Sequence, residues 1–183
     1  SDKYLENESI KKWYMHKLLL LKQADCLFSI SDAVKNEALD MPLFSDWNIE
    51  SIPLDADDIF STRDLKEKDI NDVKQRYNIN NNFILYTAVI DERKNLSALL
   101  IAYSSLPDQI RSTHQLLVVC DITDGMRAVL LEEGRKKGLR DGELIFTGYV
   151  PDDDLVNLYN LCRLFVFPSY YEGFGLPILE AMR

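Results

Sequence analysis

The sequence predicts an α/β fold of Rossmann-like, doubly wound parallel sheets, and three observations carry that prediction. Short apolar runs alternate with segments of helical period along almost the whole 183-residue chain, the pattern of parallel strands joined by crossover helices. The apolar runs are continuous rather than alternating, as expected where helices cover both faces of a sheet. Helix punctuation also falls at the right places: Ser31 and Asp32 offer N-cap oxygens, Pro151 opens a first turn and Gly138 closes a last one.

In chain order, residues 9–23 form an amphipathic helix, with Ile10, Trp13, Tyr14, Leu18 and Leu21 on one stripe. That stripe is expected to pack on the chain's own sheet rather than on a partner or membrane. Residues 26–30 are a strand, 31–39 a helix, and 48–53 a strand stopped by Pro53. Residues 55–82 are more polar, and the domain boundary is placed there, giving domains of residues 1–60 and 61–183. Within that stretch, 66–77 is a helix. A more regular succession follows: strand 83–90, helix 94–106, strand 114–121, helix 124–137, strand 143–150, helix 151–161, strand 164–167, a loop from Pro168 to Gly175, and a helix opened by Pro177. The chain begins without methionine and stops at Arg183, two turns into that helix. It is expected to be a piece of a longer protein and to be catalytically inert by itself.

Composition excludes several classes. The 46% apolar content fits a globular protein, and the net charge of −9 argues against a nucleic-acid partner. Cys26, Cys120 and Cys162 lie in apolar runs without a C-x-x-C pair, as reduced buried thiols do. His16 and His114 lack companion ligands, so no metal is expected. No run approaches the ~18 apolar residues of a membrane span, and the polar start is no signal peptide. The expected setting is cytoplasmic, compatible with peripheral association at the inner face of a membrane.

The chemistry concentrates in Glu172-Gly173-Phe174-Gly175-Leu176-Pro177-Ile178-Leu179-Glu180. Its two glycines permit positive φ or close backbone approach. Pro177 presets a helix start whose free amides, around Gly175 to Ile178, suit a diphosphate. An ordinary helix N-terminus with a capping acid explains the same residues. Arg93 and Lys94 sit where a strand gives way to a helix, a place where cations are mildly unfavourable without an anionic ligand.

The paired glutamates with seven residues between them, preceded by Phe165-Val166-Phe167-Pro168-Ser169, resemble the motif of glycosyltransferase family 4, the group 1 enzymes. YTAVIDERKN (residues 86–95), IFTGYVP (145–151) and ADCLFSISDA (24–33) are similar to the family in order and spacing. The resemblance implies a GT-B fold: the end of an N-terminal acceptor-side domain, then most of a C-terminal domain that binds a nucleotide-sugar donor. It implies a retaining transfer of a hexose from a nucleotide diphosphate sugar to a glycan or lipid-linked acceptor. No metal or other cofactor is implied, since Arg93 and Lys94 would neutralise the leaving diphosphate. Glu172 would contact the transferred sugar and Glu180 the ribose. Backbone at Phe174, Gly175 and Leu176 would hold phosphate and sugar oxygens. The backbone of Tyr149 and Val150 would flank the base, though Tyr149 reads equally as a rim aromatic.

The tract from Tyr4 to Leu21 most resembles members that build bacterial polysaccharides, often mannosyltransferases, which makes GDP-mannose the first donor to consider and a UDP-hexose the second. Ala88 and Val89 stand where the family carries a glycine pair, and Cys120-Asp121 where glycines follow the next strand. These substitutions favour a competing reading, a non-catalytic nucleotide-sugar-binding or scaffolding module. A nicotinamide-dependent oxidoreductase is disfavoured because no G-x-G-x-x-G follows a strand.

Overall fold

The computed structural model describes residues 7–183. They form two compact units, one ending at Leu54 and the other spanning Asp55–Arg183.

The first unit is small. Helix α1 (Glu8–Leu21) is capped by the Asn7 side chain, which accepts from the amides of Ser9 and Ile10. Strand β1 (Leu27–Ser29) pairs in parallel with β2 (Ile49–Ser51). Between them α2 (Asp32–Leu39) starts at Ser31, whose hydroxyl accepts from the Val34 amide at 3.1 Å. Phe44 and Ile49 are buried, and Trp47 meets Phe44 edge-on. The expected packing of α1 on its own sheet does not occur. The helix buries none of its residues, and Trp13 is 61% exposed. Two strands of three residues offer too little surface to cover a 14-residue helix.

The second unit carries one sheet of four parallel strands in the order β5-β4-β3-β6. These are β3 (Asn82–Thr87), β4 (His114–Val119), β5 (Leu144–Gly148) and β6 (Leu164–Phe165). Helices α3 (Glu67–Arg76) and α7 (Asp152–Leu161) cover one face, while α4 (Leu96–Ser104) and α6 (Asp124–Lys136) cover the other. Successive residues therefore enter different cores. Phe83, Leu85 and Leu117 pack with Val73 and Leu158. Tyr86, Leu116 and Val118 pack with Leu100, Tyr103 and Leu130. Both faces being dry is why the strands read as unbroken apolar runs. Burying each such side chain contributes roughly 1.5–3 kcal/mol.

Three details depart from the sequence reading. The helix expected over 94–106 begins at Leu96, preceded by a 3-10 turn at Glu92–Lys94 and by Asn95 in the left-handed region at φ 58°. A short helix, α5 (Asp108–Arg111), fills the connection to β4. The Asp154 carboxylate, in the first turn of α7, accepts from the Tyr77 hydroxyl at 2.6 Å and pairs with Arg76, a tie between α7 and α3 that no local pattern announced.

The units divide a few residues before the boundary drawn at 60/61, because the segment from Asp55 is fastened to the second unit. Asp55 and Asp58 pair with Arg183 at 3.0 and 2.7 Å. Phe60 is buried against Tyr159, and Asn160 bonds the backbone of Ser61 and Arg63. No helix among the described residues is long and apolar enough to cross a membrane.

Candidate functional site

From β3 the chain steps outward to β4 and β5, then returns so that β6 lies on the other side of β3. That reversal opens a crevice at the carboxyl ends of β3 and β6, where ligands bind in open α/β sheets. Two loops meet there, residues 88–95 after β3 and 166–175 after β6. They are stitched by backbone and side-chain bonds. The Tyr170 amide donates to the Arg93 carbonyl at 2.8 Å, and Asn95 Nδ2 donates to the Pro168 carbonyl at 3.0 Å.

The stitching brings Lys94 and Glu172 together. Lys94 Nζ lies 2.7 Å from both Glu172 oxygens. It also stands 5.8 Å from the centroid of the Phe167 ring, at a cation–π distance. The two side chains are 18% and 23% exposed, dry enough to strengthen the pair yet open to a ligand. Arg93 is held differently. Asp91 caps the 3-10 turn by accepting from the Arg93 amide at 2.8 Å, and the same carboxylate receives Nε and Nη2 at 2.9 and 3.0 Å. Hydrogen bonds from the Arg93 side chain and backbone keep the Asp91 carboxyl below its ordinary range.

Beyond Glu172, Gly175 adopts φ 96° and forms the N-cap of α8 (Leu176–Met182), with Pro177 in its first turn. The tight turn costs one amide: Ile178 N–H donates to the Gly175 carbonyl at 3.0 Å, so it does not point outward as expected. The amides left at the helix start are nearer Gly175 and Leu176. Phe174 is half-buried beside them, and Phe167 lies against Gly175. Glu180 lies farther along α8. Its Oε2 accepts from the Tyr159 hydroxyl at 2.9 Å, and burial raises its carboxyl above the ordinary 4.5. It also borders an open cavity of about 300 Å³ lined by Phe60, Thr62, Asn160 and Arg183.

The predicted residues thus fall into two places. Arg93, Lys94, Glu172, Phe174, Gly175, Leu176 and Glu180 cluster around the β3–β6 crevice. Tyr149 and Val150 follow β5, two strands from β3, about 10 Å away by strand spacing. Tyr149 is 73% exposed, whereas Val150 is buried in the core. Two contributors escaped the sequence reading. Asp91 carried a signal, an Asp two residues before a helical turn's cation. Tyr159 carried none, being tied to Glu180 across 21 residues.

The glycosyl transferases group 1 family model matches residues 67–183. The chain is 37% identical to the serotype-specific mannosyltransferase WbdA of Escherichia coli over its whole length, which is 22% of that protein. It is 35% identical to the Escherichia coli O-antigen chain mannosyltransferase B, over 92% of the chain and 44% of that protein. The chain therefore spans well under two thirds of these relatives. Among solved structures, a Rickettsia africae glycosyltransferase superposes with a TM-score of 0.74 at 22% identity, covering 97% of the chain and 46% of that one. Sucrose-phosphate synthase from Thermosynechococcus elongatus gives 0.73 at 23% identity over 97% of the chain and 44% of that one. The fold is that of the GT-B glycosyltransferases.

Proposed function

Because the chain belongs to the group 1 glycosyltransferase family, we propose that it is the donor-binding part of a retaining, metal-independent hexosyltransferase. The transferred sugar in this reading is mannose from GDP-mannose, with a UDP-hexose as the second choice. The acceptor is a glycan or lipid-linked intermediate of a bacterial polysaccharide, met in the cytoplasm at the inner face of the membrane. The relatives' activities support mannose, since WbdA and the O-antigen chain protein B are both mannosyltransferases.

The observation that carries the reading is the Lys94–Glu172 pair at the carboxyl ends of β3 and β6, with Arg93 next to it. As the bond between the anomeric carbon and the diphosphate breaks, negative charge grows on the leaving oxygens. An ammonium and a guanidinium beside them stabilise that charge. Each cation rests on an internal carboxylate, Glu172 or Asp91, which holds it in place until the donor's phosphates arrive. Once Lys94 turns to the diphosphate, Glu172 is free to meet the sugar. The amides at Gly175 and Leu176 hold phosphate oxygens, Glu180 accepts from ribose hydroxyls, and the backbone at Tyr149 and Val150 flanks the base.

Thermal unfolding with GDP, UDP, dTDP, ADP and NAD tests the reading. A ligand bound by the folded state adds about 2.7 kcal/mol at one hundred times its Kd. The expected result is a selective rise with one nucleoside diphosphate that disappears in Lys94→Glu. A rise with NAD alone would overturn it. Ala88 and Val89, in place of a glycine pair, favour the second reading of a non-catalytic binding or scaffolding module. Charge reversal at Arg93 and Lys94 separates the two, abolishing transfer by the full-length enzyme but sparing a scaffold's partner binding.

A further inference from the structure

Tyr159 stands outside the motifs that carry the family likeness, on α7 rather than on either loop of the crevice. Its hydroxyl nevertheless links two site elements. It lies 2.9 Å from Glu180 Oε2 on α8 and 3.2 Å from Thr87 Oγ1 at the carboxyl end of β3. Its ring is clamped edge-on by Phe60 at 5.9 Å and Phe165 at 5.4 Å. An ionised Glu180 only accepts, so the phenol donates to it and the Thr87 hydroxyl donates to the phenol oxygen. The result is a directed chain, Thr87 to Tyr159 to Glu180, in which each bond polarises the next.

We infer that Tyr159 is a positioning residue that aims the Glu180 carboxylate at the ribose hydroxyls of the donor, with Thr87 fixing the direction of the phenol proton. The inference rests on the proposed reading of Glu180 as the ribose acceptor. A carboxylate on a short helix has several rotamers, and holding one oxygen from behind leaves the other to receive paired hydroxyls. A charged acceptor also gives stronger hydrogen bonds than a neutral one. Burial raises the Tyr159 phenol far above its ordinary range, so it stays a donor wherever Glu180 is ionised. The other ionisable groups acting here are Asp152, which raises the Glu180 carboxyl, and Cys162, which raises the phenol. Neither supplies a donor to Glu180.

Tyr159→Phe removes one oxygen and keeps the ring between Phe60 and Phe165, so the variant folds. Two measurements on the chain read the effect: the midpoint of the Glu180 side-chain carboxyl followed by carbon NMR, and the affinities of GDP and 2′,3′-dideoxy-GDP. The wild-type chain is expected to prefer GDP by about ten-fold, one charged hydrogen bond's worth, and Glu180→Gln to lose that preference. Tyr159→Phe raises the Glu180 midpoint and cuts the preference several-fold, and Thr87→Val does the same to a smaller extent. No GDP preference in the wild type, or one that survives Glu180→Gln, overturns the ribose reading and the inference with it. A preference lost in Glu180→Gln but untouched in Tyr159→Phe overturns the positioning role alone, as does an unmoved Glu180 midpoint.

Discussion

The two ends of the second unit's sheet are both crowded with polar side chains, and they use them in opposite ways. At the amino ends, Gln115 is 3% exposed and its side chain bonds to neighbouring loops. Its carbonyl oxygen accepts from the Asn80 and Asn81 amides, and its amide nitrogen donates to the Gly142 carbonyl. Beside it the buried Glu143 receives Arg111 at 3.1 Å and both the backbone amide and side chain of Arg140 at 2.9 and 2.7 Å. At the carboxyl ends, Lys94, Glu172, Arg93 and Asp91 are joined in simple pairs and remain partly open. The amino-end network holds its loops together and borders an open cavity of about 280 Å³. The pairs at the carboxyl ends are half-open, and a ligand's charges can compete for their partners.

The contrast is sharpest under mutation. Glu143→Ala takes a buried acceptor from Arg111 and Arg140, while Arg111 keeps Asp108 and the Leu106 and Gly138 carbonyls. It is expected to cost about 3 kcal/mol of unfolding free energy through the lost charged hydrogen bonds. Denaturant titration checks it, and nucleotide affinity should not move. Lys94→Ala is the reverse case. Under the proposed function it should lower transfer by the full-length protein by about 10²–10³-fold, the cost of losing one charge stabiliser, a larger effect than its effect on the unfolding midpoint. A large loss of stability in Lys94→Ala with unaltered transfer would erase the distinction between the two ends. Gln115→Ala, which orphans two amides and one carbonyl, should cost about 1–3 kcal/mol.

The smallest effects are those of pH, and they differ in sign within the carboxyl end. The Asp91 carboxyl is lowered in the folded protein, so its contribution is present above the ordinary 3.8 and disappears as pH falls through the folded value. The Glu180 carboxyl is raised, so its proton is favoured by folding. That stabilisation is complete below the ordinary 4.5 and lost as pH rises through the folded value. Asp91→Asn should therefore be less stable than wild type at neutral pH and equal to it in acid. Glu180→Gln should be more stable than wild type at neutral pH, with the gain shrinking as pH falls through the folded value and gone below the ordinary 4.5. Unfolding midpoints measured across pH 3–7 read both.

The same contrast explains what could be read in advance. Unbroken apolar runs such as residues 83–86 and 116–119 announced buried parallel strands, because two dry faces impose one simple demand on composition. Glu172, Lys94 and Glu180 were legible as candidates because their motif is contiguous or tied to a strand end. Their partners were less so. Lys94 meets Glu172 across 78 residues of sequence, and Gln115 serves amides 34 and 35 residues away. Such pairings are products of the closed sheet and leave no local periodicity. The failure at α1 is of another kind: its stripe was correctly amphipathic, but amphipathicity names a face to be covered and not what covers it.

The tethering of Lys94 to Glu172 has a consequence for how the proposed donor site would behave in a crowded cell. A bare cation pair is a sink for every small anion in solution, and inorganic phosphate is abundant. A carboxylate on the same chain competes at an effective concentration no free ion reaches. In the proposed donor site monovalent contacts would therefore be turned away, and only a ligand engaging several subsites together would repay the displacement of Glu172. The resting ion pair would then act as a filter, selecting for size and multiplicity of contact before any sugar is recognised.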